Sequence, residues 1–272
     1  MAIAGRTVSD ELDTFEIMLF RSLTGIFIVV LVSWKIGTLG QISRNRLGLH
    51  ATRNIFHFAG QNLWFYAITL IPLAQVFALE FTTPIWVILL SPIILRERLT
   101  GIGLLSAFIG FVGILIVARP DPASINVGLV AAASCAVFFA LTAILTRKLT
   151  QTESITTILF YLTTMQAVFG LICAGYDGDL VIPSLQATPW VILIGLAGLA
   201  AHFCLTNALK IAPASIVMPI DFVRLPTIAV VGMLLYNEPI EVLVFVGAAL
   251  IFAANYLNIT YAMGRSAKPK QG

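Results

Sequence analysis

The sequence predicts an all-α fold, a polytopic membrane bundle of nine full helical spans arranged as two inverted copies of one unit. Composition is the first indication. Of 272 residues, 59% are hydrophobic and 11% charged, with a mean hydropathy of +0.97, too little polar surface to cover a soluble domain of this length. The second is spacing. Charges fall in short blocks between uncharged runs of about 20 residues, the length that crosses a hydrocarbon core of about 30 Å, and the alternating ten-residue strands of a barrel are absent. The third is an internal repeat. Sliding the chain by 141 residues lays 66–97 on 207–238 without a gap, with Ala67 on Ala208, Pro72 on Pro213, Glu80 on Asp221 and Glu97 on Glu238.

The nine spans are read at 15–34, 51–71, 73–95, 101–118, 125–146, 155–173, 188–210, 214–236 and 240–261. Short connections between them carry the breakers: Gly37 and Gly40, Pro72, Pro120 and Pro122, Gly175 and Gly178, Pro213 and Pro239. The repeat divides the chain into a first copy at 1–118, a second at 125–261 and a tail at 262–272. The offset places the mate of span 125–146 before Met1, ending near Gly5, with Arg147 on Arg6. The complete design is therefore ten helices, the first largely missing here. A start upstream of Met1 is the preferred reading, a shortened nine-span form the other.

Cationic residues give the orientation, because cytoplasmic loops collect them. Lys35, Arg44, Arg46, Arg96, Arg98, Arg147, Lys148, Lys210, Arg265, Lys268 and Lys270 fall on one side, against Arg6 and Arg119 on the other. The C-terminus is expected in the cytoplasm. An odd number of helices in each copy then makes the copies face opposite ways, the inverted repeat of many secondary transporters, whose substrate site lies near the midplane.

Other classes find little support. The acidic segment 10–16 precedes the first full apolar run, unlike a cleaved signal. Cys135, Cys173 and Cys204 lie singly inside apolar runs and read as buried thiols. No His/Cys cluster at metal spacing, Walker loop or nucleophile elbow occurs, so neither an enzyme nor a metal or other cofactor is expected. The expected partners are the lipid bilayer and a small-molecule substrate, not nucleic acid; a homodimer is left open.

The candidate site residues are polar groups at membrane depth. Glu80 and its mate Asp221 each put a carboxylate inside an apolar helix, where it costs a few kcal/mol and by default marks a pathway. Phe77 and Pro84 share the face of Glu80. Arg224 lies one turn from Asp221; the two either neutralise each other or, once parted by substrate, free a planar guanidinium for its oxygens. In the first copy Thr83 takes the place of Arg224, so the halves differ chemically. Arg53, His57, Gln61 and Trp64 form one helical stripe, flanked by Asn62, which must face the interior because lipid offers no hydrogen bonds. Arg53 could instead snorkel to the cytoplasmic interface. His202 is either a satisfied helix contact or a proton carrier, Arg21 reads as an interfacial anchor, and Glu97 and Glu238 read as packing or gating groups.

These residues resemble the drug/metabolite transporter superfamily, and in it the EamA type with two EamA repeats. The similarity is carried by 71–84, by the acid-ended turn 96–100, by the glycine-rich helix 101–117 and by the second-copy version at 208–261. The resemblance implies ten helices with cytoplasmic termini around a central cavity and a carrier that works by alternating access. FEIMLFRSLTG (15–25), FHFAGQNLWFYAITLIPLAQVFALEFTTPIW (56–86) and SIVMPIDFVRLP (215–226) are most similar to the bacterial branch of riboflavin uptake transporters and S-adenosylmethionine carriers. The expectation is a secondary transporter of a bacterial inner membrane that takes up riboflavin. A flat, neutral heterocycle would use Trp64, Phe77, Gln61, Asn62 and Arg224, whereas cationic S-adenosylmethionine would use Glu80 or Asp221. Export of amino acids or drugs, and a membrane assembly subunit that transports nothing, are the alternatives.

Overall fold

The computed structural model describes residues 1–96, 101–118, 126–176, 178–218, 220, 224–236 and 242–266. The described residues form twelve α-helices: α1 Ala2–Val8, α2 Thr14–Lys35, α3 Leu47–Leu70, α4 Leu73–Glu80, α5 Thr83–Ile94, α6 Gly101–Ala118, α7 Val127–Leu149, α8 Ile155–Ala174, α9 Thr188–Ile211, α10 Ala214–Val217, α11 Arg224–Tyr236 and α12 Val242–Ser266. Every span expected from the sequence has a helical counterpart. Five are long and apolar enough to cross a membrane: Thr14–Lys35, Leu73–Ile94, Val127–Leu149, Ile155–Ala174 and Thr188–Ile211. Helix α3 has the length but falls outside this set; its polar stripe is what separates it from the others. Helix α12 runs on to Ser266, so the first residues assigned to the tail are helical.

One expected span is broken in the middle. The stretch 73–95 is α4 and α5, interrupted at Phe81 and Thr82, directly after Glu80. Pro84 explains the break: it has no N–H for the Glu80 carbonyl, and its ring clashes with that carbonyl four residues back. The Thr83 hydroxyl lies 2.5 Å from the Glu80 carbonyl and 3.2 Å from that of Ala136, so the freed acceptor gains a side-chain partner. The stretch 214–236 holds α10 and α11, with residues 219 and 221–223 between them outside the described residues.

The repeat recurs in the local chemistry. Asp13 caps α2 through the Glu16 N–H at 2.7 Å, and Glu16 caps Asp13 in return at 2.9 Å; their mates Ser154 and Thr157 form the equivalent cap on α8 at 3.1 Å. Arg6 donates to the Ile68 carbonyl at 2.5 Å, and its mate Arg147 to the Leu209 carbonyl, the mate of Ile68, at 2.5 Å. Pro72 and Pro213 open α4 and α10 with nearly equal dihedrals, φ −55° and ψ 143° against φ −57° and ψ 149°.

The chain folds into two compact units, each drawn from both sequence repeats: Met1–Thr69 with Leu145–Ile211, and Leu70–Ile144 with Ala212–Gly272. In the first unit α2 lies along α8. A methyl added to Gly170 would meet the Leu19 backbone at 2.9 Å, and one added to Gly25 would meet Thr163 Cγ2 at 2.7 Å. As the chain advances along α2 from 19 to 25 its contacts retreat along α8 from 170 to 163, so these two mates run antiparallel. The segment before α9 is fastened to the N-terminal region: Glu16 accepts from the Val181 N–H at 2.6 Å, and Glu11 accepts from the Ser184 hydroxyl at 2.8 Å. In the second unit α6 packs on α12, where Gly113 approaches the Gly247 carbonyl too closely for any side chain. Outward faces such as Phe27 on α2 and Phe108 on α6 are exposed and apolar, surfaces that a bilayer covers.

Candidate functional site

The first unit encloses a polar core unusual for helices this apolar. Helix α3 supplies most of it. His50, Arg53, Asn54, His57, Gln61 and Trp64 are all buried, as the spacing requires once one face is turned inward. Arg53, 1% exposed, donates from Nε to the Thr146 hydroxyl at 3.1 Å and from Nη1 to Asn54 Oδ1 at 2.9 Å. It does not snorkel. Asn54 is the hub. Its Nδ2 donates to the His50 carbonyl at 2.9 Å and the Tyr161 carbonyl at 3.3 Å, while its own carbonyl accepts from Gln166 Nε2 at 2.8 Å. His50 stacks at a tilt on Tyr161, with ring centroids 4.7 Å apart.

Helix α9 brings His202 to His57, Nε2 to Nε2 at 3.2 Å, with the rings edge to face. One ring must donate and the other accept, so at least one of the two is neutral, and a proton can pass along the line between them. His202 also borders a cavity with Arg21 and Ser22 of α2 and Thr163 and Gln166 of α8, over Gly25 and Gly195. The cavity is small, with room for about one water molecule, far below the roughly 300–1,000 Å³ of pockets that enclose a drug-sized ligand. Gly198 makes room for Arg21, since a methyl there would meet its Nη2 at 3.0 Å. Among the described residues neither Arg21 nor Arg53 meets a carboxylate.

The other predicted residues are distributed as follows. Asn62 turns its amide back to the Phe58 carbonyl at 2.8 Å, and Trp64 packs edge to face on Phe65 at 5.4 Å. In the second unit, Phe77 is buried with its ring 6.1 Å from Phe81, and half-buried Glu80 ends α4 at the helix break. Asp221, Glu97 and Glu238, and the side chain of Arg224, lie outside the described residues. The structure thus brings Arg53, His57 and His202 into one polar core and adds Arg21, Asn54, Thr146 and Gln166, which the sequence reading did not place there. A signal existed for Gln166, since it is the one amide side chain in α8 and Thr163 lies one turn before it. For Arg21 none did, because nearness to a helix end fits an anchor equally well.

Among proteins of known description, the chain is 32% identical to a riboflavin transporter of Brucella anthropi over 78% of this chain and 76% of that one. It is 28% identical to a riboflavin transporter of Vibrio cholerae, over 83% and 76%, and 23% identical to an S-adenosylmethionine uptake transporter of Rickettsia prowazekii, over 98% and 90%. A solved crystal structure with 15% sequence identity superposes with a TM-score of 0.73, covering 98% of this chain and 96% of the other, so the fold is shared. The EamA-like transporter family matches residues 1–119 and 126–260. A multi-pass helical membrane protein with a buried polar core, this chain belongs to the EamA-like transporter family of the drug/metabolite transporter superfamily: it is a transporter, not an enzyme.

Proposed function

We propose that this transporter takes up riboflavin across a bacterial inner membrane by alternating access, with nine spans in two inverted repeats and a cytoplasmic C-terminus. The observation that carries the substrate is the 32% identity to a riboflavin transporter over 78% of the chain. The antiparallel run of the mates α2 and α8 supports the inverted repeat. The groups proposed to meet substrate are Arg53, His57, Gln61, Asn62, Trp64 and His202 in the first unit, and Phe77, Glu80, Asp221 and Arg224 in the second. The flat ring of riboflavin suits the aromatic side chains among them, and its carbonyl and amide groups suit the polar ones. Glu80 ends α4 at a helix break, and broken helices bind substrates and coupling ions in other carriers, which supports its inclusion.

A test is growth of a riboflavin-auxotrophic bacterium at limiting vitamin. Expression of this chain should restore growth, and failure to do so with the protein present in the membrane would reject riboflavin as the cargo. A second substrate has its own support. The S-adenosylmethionine transporter relative aligns over 98% of this chain, and two intramembrane acids suit a sulfonium cation. Labelled S-adenosylmethionine in the same cells separates the two.

A further inference from the structure

We propose that the loop between α2 and α3 is a binding site for an anionic phospholipid, with the headgroup on Lys35, Arg44 and Arg46 and the acyl chains along the outer face of α2. The inference is independent of which cargo the transporter carries.

The charge of this loop is one-sided. Between Glu16, at the far end of α2, and Glu80 the chain has no acidic residue, so neither the loop nor α3 supplies a counter-charge for Lys35, Arg44 and Arg46. All three are exposed. The loop packs on the start of α8, and the acid at that end of α8, Glu153, is buried. Helix α3 starts directly after Arg46, so its N-terminal amides add partial positive charge to the same loop.

The loop is also held in shape, unlike a loose basic tail. Gly37 takes a left-handed φ of 72°, and the Thr38 N–H reaches back to the Ser33 carbonyl at 2.8 Å, closing the end of α2. After the turn, the Thr156 hydroxyl donates to the Thr38 hydroxyl at 3.1 Å and the Thr157 hydroxyl to the Gln41 carbonyl at 2.8 Å. Helices α2 and α8 thus fix the backbone from which the cations extend.

What lies beside the cations selects the partner. Phe27, Leu31 and Trp34 recur on one face of α2 at helical spacing, and all are exposed, Trp34 to 67%. Ile36 and Leu47 are exposed as well. An apolar strip that ends at a tryptophan and is followed by clustered cations matches the profile of a phospholipid, acyl chains first and phosphate last. A free phosphate would leave the strip uncovered, and a zwitterionic lipid brings its own cation to a loop that already has three. A net negative headgroup on acyl chains answers both, because cations at the membrane surface attract anionic lipid.

The test reconstitutes the full chain in nanodiscs of equimolar phosphatidylglycerol and phosphatidylcholine, releases it into detergent and identifies the retained lipids by native mass spectrometry. The unmodified protein should keep phosphatidylglycerol over phosphatidylcholine by about fivefold or more, and Lys35→Gln/Arg44→Gln/Arg46→Gln should bring that ratio below about twofold. Lys148→Gln/Lys210→Gln, which removes cations that end α7 and α9, should leave it unchanged. Equal retention of the two lipids by the unmodified protein would overturn the proposal whether or not any variant folds. So would a preference that survives in the folded triple variant, or one that Lys148→Gln/Lys210→Gln abolishes, which would mark diffuse charge in place of a site. Should the triple variant not fold, Arg44→Gln/Arg46→Gln, confined to the exposed loop, decides in its stead: a ratio at least halved upholds the site and an unchanged ratio overturns it. Displacement of the retained lipid by glycerol 3-phosphate would assign the loop to a free phosphate and overturn the lipid.

Discussion

Asn54 holds the polar core of the first unit together, accepting from Arg53 and donating to carbonyls on α3 and α8. Asn54→Leu is close in size but strips these side-chain bonds, leaving Arg53 Nη1 short of an acceptor while Gln166 keeps the backbone carbonyl of residue 54, and a buried polar group so orphaned costs about 1–3 kcal/mol. The expected result is a clear fall in the unfolding temperature of the purified protein; an unchanged temperature would mean that water replaces the amide. Gly170→Ala tests packing instead. Its methyl would come within 2.9 Å of the Leu19 backbone, which cannot give way as a side-chain tip can, so α2 and α8 must part at a cost of about 1–3 kcal/mol, measurable by the same thermal assay. At this scale the stripe from Arg53 to Trp64 was legible, because periodicity and the absence of water in lipid leave such a face one place to go. The His57–His202 contact was not, since no spacing within one helix reports which residue of another helix stands opposite.

Helix α3 owes its separation from the other long helices to the same stripe, and α4 and α5 owe theirs to Pro84. The prolines were visible in the sequence, yet a 22-residue apolar run reads as one span, because a proline kinks or breaks a helix according to whether another group takes up the freed carbonyl. Here Thr83 does. Pro84→Ala returns an N–H to the Glu80 carbonyl and favours a continuous helix. If the break is needed for the transport cycle, the variant should be at least as heat-stable as the parent and transport at least tenfold more slowly; normal transport would assign the break to structure alone. The capping box of Asp13 with Glu16, and its equivalence to the cap of Ser154 on Thr157, emerge only when the repeat is traced through hydrogen bonds.

At the scale of the whole molecule, the duplication found by sliding the sequence is also a duplication of contacts, seen at Arg6 and Arg147, Asp13 and Ser154, and Pro72 and Pro213. What the sequence could not convey is that each compact unit draws helices from both copies. Contacts such as Leu19 with Gly170 and Gly113 with Ile251 join residues far apart in the chain, and such pairings leave no periodic trace. The substrate belongs to this scale too, because it depends on groups gathered from many helices. The most direct measurement of the central claim is entry of radiolabelled riboflavin into liposomes reconstituted with the purified chain and preloaded with unlabelled riboflavin. Saturable accumulation of label above protein-free liposomes, reduced at least tenfold by Glu80→Gln, is the predicted result. No accumulation by folded, correctly inserted protein would contradict it.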